Sequence, residues 1–520
     1  MRITTRYFFI TLFFFFVLRL LAFSVSYDVF SDAFQRIQLM QSILEMPVAL
    51  LKNVPIGQYG IAHIFFGGFG LWIWNNPLLT PRLISLIMGL LTFFPFLILS
   101  KEYFSRRVAY LSAFLLSFYT LHVKMSVVTA NQSTFILLVV TAIAFLIKYA
   151  NDTQIKYLVY SGISIGFAAL VRYEGIFLIP LLPFLWLDEP GDTKDFLDFR
   201  SHLFQATVIQ VGTAFLPISL WSLTNYLLNG HLWPGFNLHF SSNFLHNQIF
   251  STNWSVFLLS TLPGILFTTM TPPVFLGALW GILRIFKNGK YRALFLVNFL
   301  FLIVVSLFCN GTLLENSVLF SVLLTPYAAY GFYSIYQRFI NQKAFRGIIL
   351  ISITSFAWIL TILFLERAPQ SILTEQLSSV SPIAYLRTEF KELVSFFNHE
   401  AADAQSILLD VDQNTALQPL MLYANEDGRE IISTFEILKD TTNSNNEKVV
   451  LDKLFTNSTF EYIVSRRESK LDKELEKLAE NQEFSTHLKV RLVLSNRYFR
   501  IYKTENLHRA GLSRKETKSP

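Results

Sequence analysis

The sequence predicts a polytopic α-helical membrane protein carrying a C-terminal extracytoplasmic α/β domain, and three observations predict it. Hydrophobic residues make up 52% of the 520 and charged residues only 15%, where a water-soluble domain carries charge at about a quarter of its positions. Mean hydropathy is +0.44, with apolar runs such as Phe8–Val17 and Leu294–Phe308 that no amphipathic surface helix would tolerate. After Glu366 the composition changes, charge rises, and short β-like runs begin to alternate with polar helical stretches.

Spans of about 20 apolar residues are expected near 7–25, 79–99, 108–121, 133–149, 157–171, 175–187, 204–226, 264–285, 293–309, 319–336 and 347–365, about eleven in all. The first follows Arg2 and Arg6, is long, is interrupted by Arg19 and lacks a clear small-x-small cleavage site, so it reads as a retained signal anchor. Lys101, Arg106 and Arg107, then Lys148 and Lys156, then Arg284, Lys287, Lys290 and Arg292, then Arg338, Lys343 and Arg346 all fall on the side shared with the N-terminus. That side is expected to be cytoplasmic. The net charge of +7 is therefore topological information and gives no sign of a nucleic-acid partner.

Two connections on the opposite side are too long to be turns. Residues 26–78 hold an amphipathic stretch, Asp32–Leu51, with Phe34, Ile37, Met40, Ile43 and Leu44 at helical spacing, and the apolar Ile61–Trp74; both are expected as helices at the membrane interface. Residues 227–262 are aromatic and Asn-rich; a long loop of this kind is usually functional or disordered, and its aromatics favour the ordered reading. The transmembrane domain is thus expected over 1–366 and a soluble α/β domain over 367–504. Its strands are expected at Ser406–Val411, Glu461–Val464, Leu488–Leu494 and Tyr498–Lys503, and its helices at Ser379–Phe397 and Ser469–Asn481. A basic disordered tail is expected over 505–520. The single cysteine, Cys309, excludes an internal disulfide and a cysteine-built metal cage.

Several segments resemble, in order, those of the GT-C class of membrane glycosyltransferases, which includes the protein O-mannosyltransferases and the lipid A aminoarabinose transferase. These are SDAFQRIQLMQSIL with Asp32 after the first span, TPRLISLIMGLL with Arg82 and Gly89, and the segment TLHVKMSVVTANQSTF. The short hairpin GFAALVRYEGIFLIPLL with Arg172 and Glu174 comes next, followed by NYLLNGHLWPGF. The resemblance covers roughly residues 1–365 in architecture and about a third of that in motif. It implies an enzyme that moves one sugar from a polyprenyl-phosphate-linked donor to a glycan, lipid or protein acceptor on the extracytoplasmic face, with inversion, in a bacterial or archaeal plasma membrane. Members often carry a second acid after the Ser-rich segment; here the corresponding residue is Gln132, beside Asn131, and an amide can hydrogen-bond but cannot act as a base.

Such a transfer needs a base, cations for the leaving phosphate, and a dry slot. Asp32, just beyond the first span, is the candidate base and Asp28 the second choice; capping of the interfacial helix is the plainer role for Asp32. Arg172, Arg82 and Lys124 are candidate ligands of the donor phosphate, because charges at membrane-helix ends are costly unless used, although snorkelling to headgroups would also account for Arg82 and Lys124. Gln132, Asn131, Glu174, His231 and Trp233 are candidate substrate-binding residues, with Glu174 also placed to pair with Arg172. A divalent ion serves some members of the class, yet His122, His231, His239 and His246 match no ligand spacing, so no metal site is assigned. Two other readings stay open: a lipid-linked-sugar flippase or transporter, against which stands the absence of internal repeats, and a non-catalytic subunit of a glycan-assembly complex, which Gln132 favours.

Overall fold

The computed structural model describes residues 2–25, 31–45, 60–186, 196–230, 232, 266, 270, 272–286, 288–308, 313–339, 388–409, 430–433, 460–466, 470–481, 488–495 and 499–506. It divides into two compact units, one of Met1–Ser26 with Arg36–Ala384 and the other of Tyr27–Gln35 with Tyr385–Pro520.

The first unit is helical. It begins with α1 (Arg2–Val25), α2 (Ser31–Glu45, whose opening residues group with the second unit), α3 (Ile61–Ile73), α4 (Thr80–Leu91) and α5 (Phe93–Tyr103). It continues with α6 (Arg106–Ser117), α7 (Thr120–Val127), α8 (Gln132–Asp152) and α9 (Ile155–Val171). After α9 come a 3₁₀ stretch, Tyr173–Phe177, one α-helical turn, Leu178–Leu181, and a second 3₁₀ stretch, Leu182–Trp186. The remaining helices are α10 (Phe196–Asn229), α11 (Pro272–Ile285), α12 (Gly289–Phe308) and α13 (Leu313–Phe339).

Among the described residues five helical stretches are long and apolar enough to cross a bilayer: Arg6–Ser24, Thr80–Tyr103, Gln132–Asp152, Phe204–Leu228 and Ser317–Gln337. A sixth is formed if Arg106–Ser117 and Leu121–Val127, bent by 62°, count as one broken span. The spans expected at 157–171, 175–187, 264–285 and 293–309 fall on apolar helices whose described parts run Ile155–Val171, Tyr173–Leu185, Pro273–Ile285 and Tyr291–Val305. The expected span at 347–365 lies outside the described residues.

Sequence pattern explains which faces are buried. On α2, Ala33, Arg36, Ile37 and Met40 are buried, the 3-to-4-residue spacing of one helix face. Met40 packs with Ile64 and Leu71 of α3, joined by Leu39 and Ile43. Along the same helix Phe65, Phe69, Trp72 and Ile73 are exposed, an apolar surface of the kind that marks a membrane or protein interface. Likewise α1 buries Phe15 and Arg19 while exposing Tyr7, Phe9, Ile10, Phe13, Leu20 and Leu21. Where α4 crosses α7, Gly89 takes the only side chain that fits, since a Cβ there would collide with Ser126 Oγ.

The second unit holds a mixed five-stranded sheet, β1 (Ser406–Leu409), β2 (Glu430–Ser433), β3 (Tyr462–Arg466), β4 (Leu488–Ser495) and β5 (Phe499–Asn506), in the order β2-β1-β3-β5-β4. β1 runs parallel to β2 and β3, while β5 is antiparallel to β3 and β4. Helix α14 (Thr388–His399) precedes β1, and α15 (Lys470–Asn481) connects β3 to β4. Leu471 and Leu475 of α15 pack on Leu408, Phe460, Ile463, Val490 and Tyr502. A buried polar knot ties helix to sheet: Ser465 Oγ and Tyr502 Oη donate to Asp472 Oδ1 at 2.8 and 2.9 Å, and Arg500 reaches Asp472 Oδ2 at 3.3 Å and Glu476 at 2.9 Å.

Candidate functional site

The break between α6 and α8 opens backbone that three buried arginines close. Arg19 of α1 donates to the carbonyls of Phe15 at 3.0 Å and Leu116 at 3.4 Å, and to His122 Nδ1 at 2.7 Å, with its guanidinium 3.5 Å from the Phe15 ring centroid. Arg82 of α4 donates from Nε to the Val127 carbonyl at 3.1 Å and from Nη2 to the Phe23 carbonyl at 2.8 Å. Arg36 of α2 donates to the Thr129 carbonyl at 3.1 Å. Ser85 adds a bond to the Ala130 carbonyl at 3.3 Å. The last carbonyls of a helix have no partner within it, and in an apolar surround each needs a donor. Arg19 serves the end of α6, and Arg82, Arg36 and Ser85 supply donors to the carbonyls of Val127, Thr129 and Ala130 on the way into α8.

That segment delivers Asn131 and Gln132 to the start of α8. Asn131 Nδ2 donates to the Val171 carbonyl at 3.3 Å, which sets the beginning of α8 beside the end of α9. His63 of α3 joins the same place through Nδ1 and Thr134 Oγ1, 3.3 Å apart. One residue past Val171 the chain leaves α9, and Arg172 pairs with Glu174: Nη2 to Oε1 at 2.8 Å and Nε to Oε2 at 3.4 Å.

Gln132, Arg172 and Glu174 are the polar lining of a small, partly open cleft of about 10 Å³, whose remaining walls are Phe135, Ile136, Phe301, Val305, Val318 and Leu319. Its chemistry is divided: a cation, a carboxylate and an amide at one end, with aromatic and aliphatic side chains along the rest. Gln132 Oε1 is buried and has no hydrogen-bond partner among the described residues. The arrangement suits a ligand with an anionic or hydroxylated head and an apolar body.

Of the residues singled out in the sequence, Gln132, Arg172 and Glu174 line this cleft and Asn131 is adjacent to it. Arg82 lies in the buried backbone clamp described above, and Lys124 is buried in α7. Asp32 is the second residue of α2, four positions before Arg36, and its side chain lies outside the described residues, as do Asp28, His231 and Trp233 altogether. His122 is engaged by Arg19. Among the described residues no three His, Cys, Asp or Glu side chains gather as metal ligands would. Sequence reasoning missed Arg36 and His63; the signal available for Arg36 was a cation on the apolar face of an amphipathic helix, which calls for a buried partner.

Residues 53–221 match the family described as dolichyl-phosphate-mannose-protein mannosyltransferase, a stretch that contains every residue of the cleft contributed by α8 and the Arg172 hairpin. None of the curated proteins is similar enough to the chain to count as a match. Among solved structures, ArnT from Cupriavidus metallidurans bound to undecaprenyl phosphate aligns with a TM-score of 0.57 at 13% identity, covering 96% of this chain and 97% of that one. ArnT in the apo state aligns at 0.54 with the same coverages and 13% identity. The Archaeoglobus fulgidus oligosaccharyltransferase complexed with Zn and sulfate aligns at 0.49, with 15% identity and 92% and 68% of the two chains covered. The chain is thus an apolar, mostly helical protein with the fold of ArnT, and what it resembles is the GT-C class of membrane glycosyltransferases.

Proposed function

We propose that the protein is an inverting glycosyltransferase that takes a single sugar from a polyprenyl-phosphate donor and places it on a glycan, lipid or protein acceptor at the extracytoplasmic face. The observation that carries this reading is the cleft with Arg172, Glu174 and Gln132 at one end and an apolar wall of Phe135, Ile136, Phe301, Val305, Val318 and Leu319. An isoprenoid matches the wall, and a phosphate matches an arginine fork, which presents two parallel N–H groups to two oxygens. The family match over 53–221 and the undecaprenyl phosphate bound by ArnT support the same donor class.

In this reading Arg172 holds the phosphate and stabilises the charge that grows on it as the glycosidic bond breaks. Gln132 Oε1, an acceptor without a partner among the described residues, takes a hydroxyl of the sugar or of the incoming acceptor. Asp32, the second residue of α2, is assigned as the base that removes the proton from the attacking hydroxyl. Arg82 donates to the Val127 and Phe23 carbonyls and so holds the backbone around the site, while Lys124 is assigned to the basic surround of the headgroup. The cationic connections face the cytoplasm and the C-terminal unit lies outside, where it holds an acceptor or a partner; the full chain crosses the membrane about eleven times.

The test is transfer from polyprenyl-phosphate sugars by purified protein. Asp32→Asn is expected to lose transfer by a factor of about 10² to 10⁴ while still binding the donor. Transfer unchanged in Asp32→Asn would remove Asp32 as the base, and a wild-type protein that neither binds nor turns over any polyprenyl-phosphate sugar would remove the enzyme reading.

A further inference from the structure

The arginine best placed to receive an anion already holds one. Arg172 and Glu174 form a side-on pair at 2.8 and 3.4 Å, with side chains 9% and 3% exposed, and this pair takes up the Nε and Nη2 hydrogens, two of the N–H groups with which a phosphate would pair. Beside this pair the cleft is lined by one amide and six apolar side chains. In such surroundings a guanidinium and a carboxylate interact strongly, and removing one partner of a buried pair is costly.

We propose that Glu174 is a resident counter-anion that determines headgroup specificity: it occupies the Arg172 fork until a phosphate-headed lipid displaces it. This inference rests on reading the cleft as a polyprenyl-phosphate site and assigns a role that reading leaves open.

Specificity follows from a difference of affinities. A carboxylate-headed lipid, such as a free fatty acid, offers Arg172 the same group Glu174 already supplies, so the exchange gains nothing and must also expel a tethered competitor. A phosphate brings more charge and more oxygens, enough to engage Arg172 and the Gln132 amide together. The resident carboxylate therefore sets a threshold that phosphates pass and carboxylates do not. Neutral lipids have no claim on the fork at all.

The local backbone says how the exchange happens. The Arg172 amide donates to the Ala168 carbonyl at 2.9 Å, and the Gly175 amide donates to the Arg172 carbonyl at 2.9 Å. A Cβ at Gly175 would stand 2.9 Å from the Ala169 backbone, so the turn is seated directly against α9 without slack. With the backbone fixed, Glu174 leaves Arg172 by rotating its own side chain, a fast event that needs no movement of helices.

The experiment is binding of three probes to the full-length protein in detergent: a polyprenyl monophosphate, inorganic phosphate and oleate. Each is measured with wild type, Glu174→Gln, Glu174→Asp and Arg172→Gln, beside a thermal midpoint for every variant. Glu174→Gln keeps the shape and a weaker hydrogen bond while removing the charge, and is expected to bind the polyprenyl phosphate about tenfold more tightly and to acquire oleate, which wild type refuses. Glu174→Asp retains the charge on a shorter arm and is expected to fall between. Arg172→Gln is expected to lose the phosphate. A gain restricted to the polyprenyl phosphate assigns the site to the lipid, and a gain shared with inorganic phosphate assigns it to the phosphate group from either source; both support the exchange.

Wild type binding the polyprenyl phosphate, with Glu174→Gln no tighter and no less selective at an unchanged thermal midpoint, overturns the counter-anion and leaves the donor reading intact. If Glu174→Gln alone is unstable, an affinity in Glu174→Asp equal to wild type overturns it equally. Neither wild type nor any Glu174 variant binding the polyprenyl phosphate overturns both readings.

Discussion

Arg19, Arg36 and Arg82 are cations that lipid would penalise heavily, and each is turned to backbone carbonyls around the break between α6 and α8. Substitution separates this duty from headgroup binding. Arg36→Met and Arg82→Met keep much of each stem while removing donors to buried carbonyls, and each is expected to lower stability by about 1–3 kcal/mol, read as a thermal shift in detergent. Loss of donor binding by Arg82→Met at an unchanged thermal midpoint would instead assign Arg82 to the phosphate. At this scale the sequence was legible for Arg172 and Glu174: two residues apart in a short hairpin, they were placed to pair, and they do so at 2.8 Å. It was not legible for Arg82, because a positive residue at a helix end looks the same whether it faces headgroups or the last carbonyls of a neighbouring helix. Arg19 had announced itself as an interruption of an apolar run, but its partners are Leu116 and His122, contacts no local pattern reveals.

Among elements, the sheet of the C-terminal unit offers the sharpest test. Asp472, 1% exposed, accepts from Ser465, Tyr502 and Arg500, so Asp472→Ala strands the Ser465 and Tyr502 hydroxyls while Arg500 keeps Glu476, and is expected to destabilise that unit by on the order of 2 kcal/mol, measured by limited proteolysis of the full chain. Burial, reinforced by the bond to Asp472 and opposed by Arg500, pushes the Tyr502 phenol up to about 12. The fold therefore favours the neutral phenol, and the sign follows: this contribution is complete below the ordinary phenol value near 10 and is lost as pH rises toward about 12. Circular-dichroism melts across that window should show a falling midpoint, with a shallower fall in Tyr502→Phe. The runs at 406–411, 461–464, 488–494 and 498–503 overlap β1, β3, β4 and β5 because β-branched and aromatic residues are concentrated in them. β2 escaped notice: Glu430–Ser433 is four residues with two apolar ones, at the edge of the sheet, where pairing on a single side asks little of the sequence. In the membrane unit the expected helix 108–121 proved to be a helix, a 62° bend and a second helix, since an apolar window cannot register a change of direction.

For the whole molecule, the cationic connections on one side predict orientation. An alkaline phosphatase fused after Asn506 should be active when the protein is made in a bacterial inner membrane, and a fluorescent protein fused there should stay dark; the reverse pattern would invert the proposed topology. Hydropathy conveyed the class of the molecule because so much apolar surface has no home in water. The number of crossings was less accessible, because helices such as Ile155–Val171 and Tyr173–Leu185 are too short to be separated by length from buried helices of an ordinary core.

Arg19 imposes an order on how the protein is made. Its acceptors at Leu116, Ser117 and His122 stand 97, 98 and 103 residues further along the chain, and a guanidinium left among acyl chains is expensive. When the first helix leaves the ribosome those acceptors have not yet been synthesised. α1 is therefore expected to stay at the insertion machinery, or at its watery margin, until the α6–α7 bend arrives, so that a helix made early is among the last to be finished.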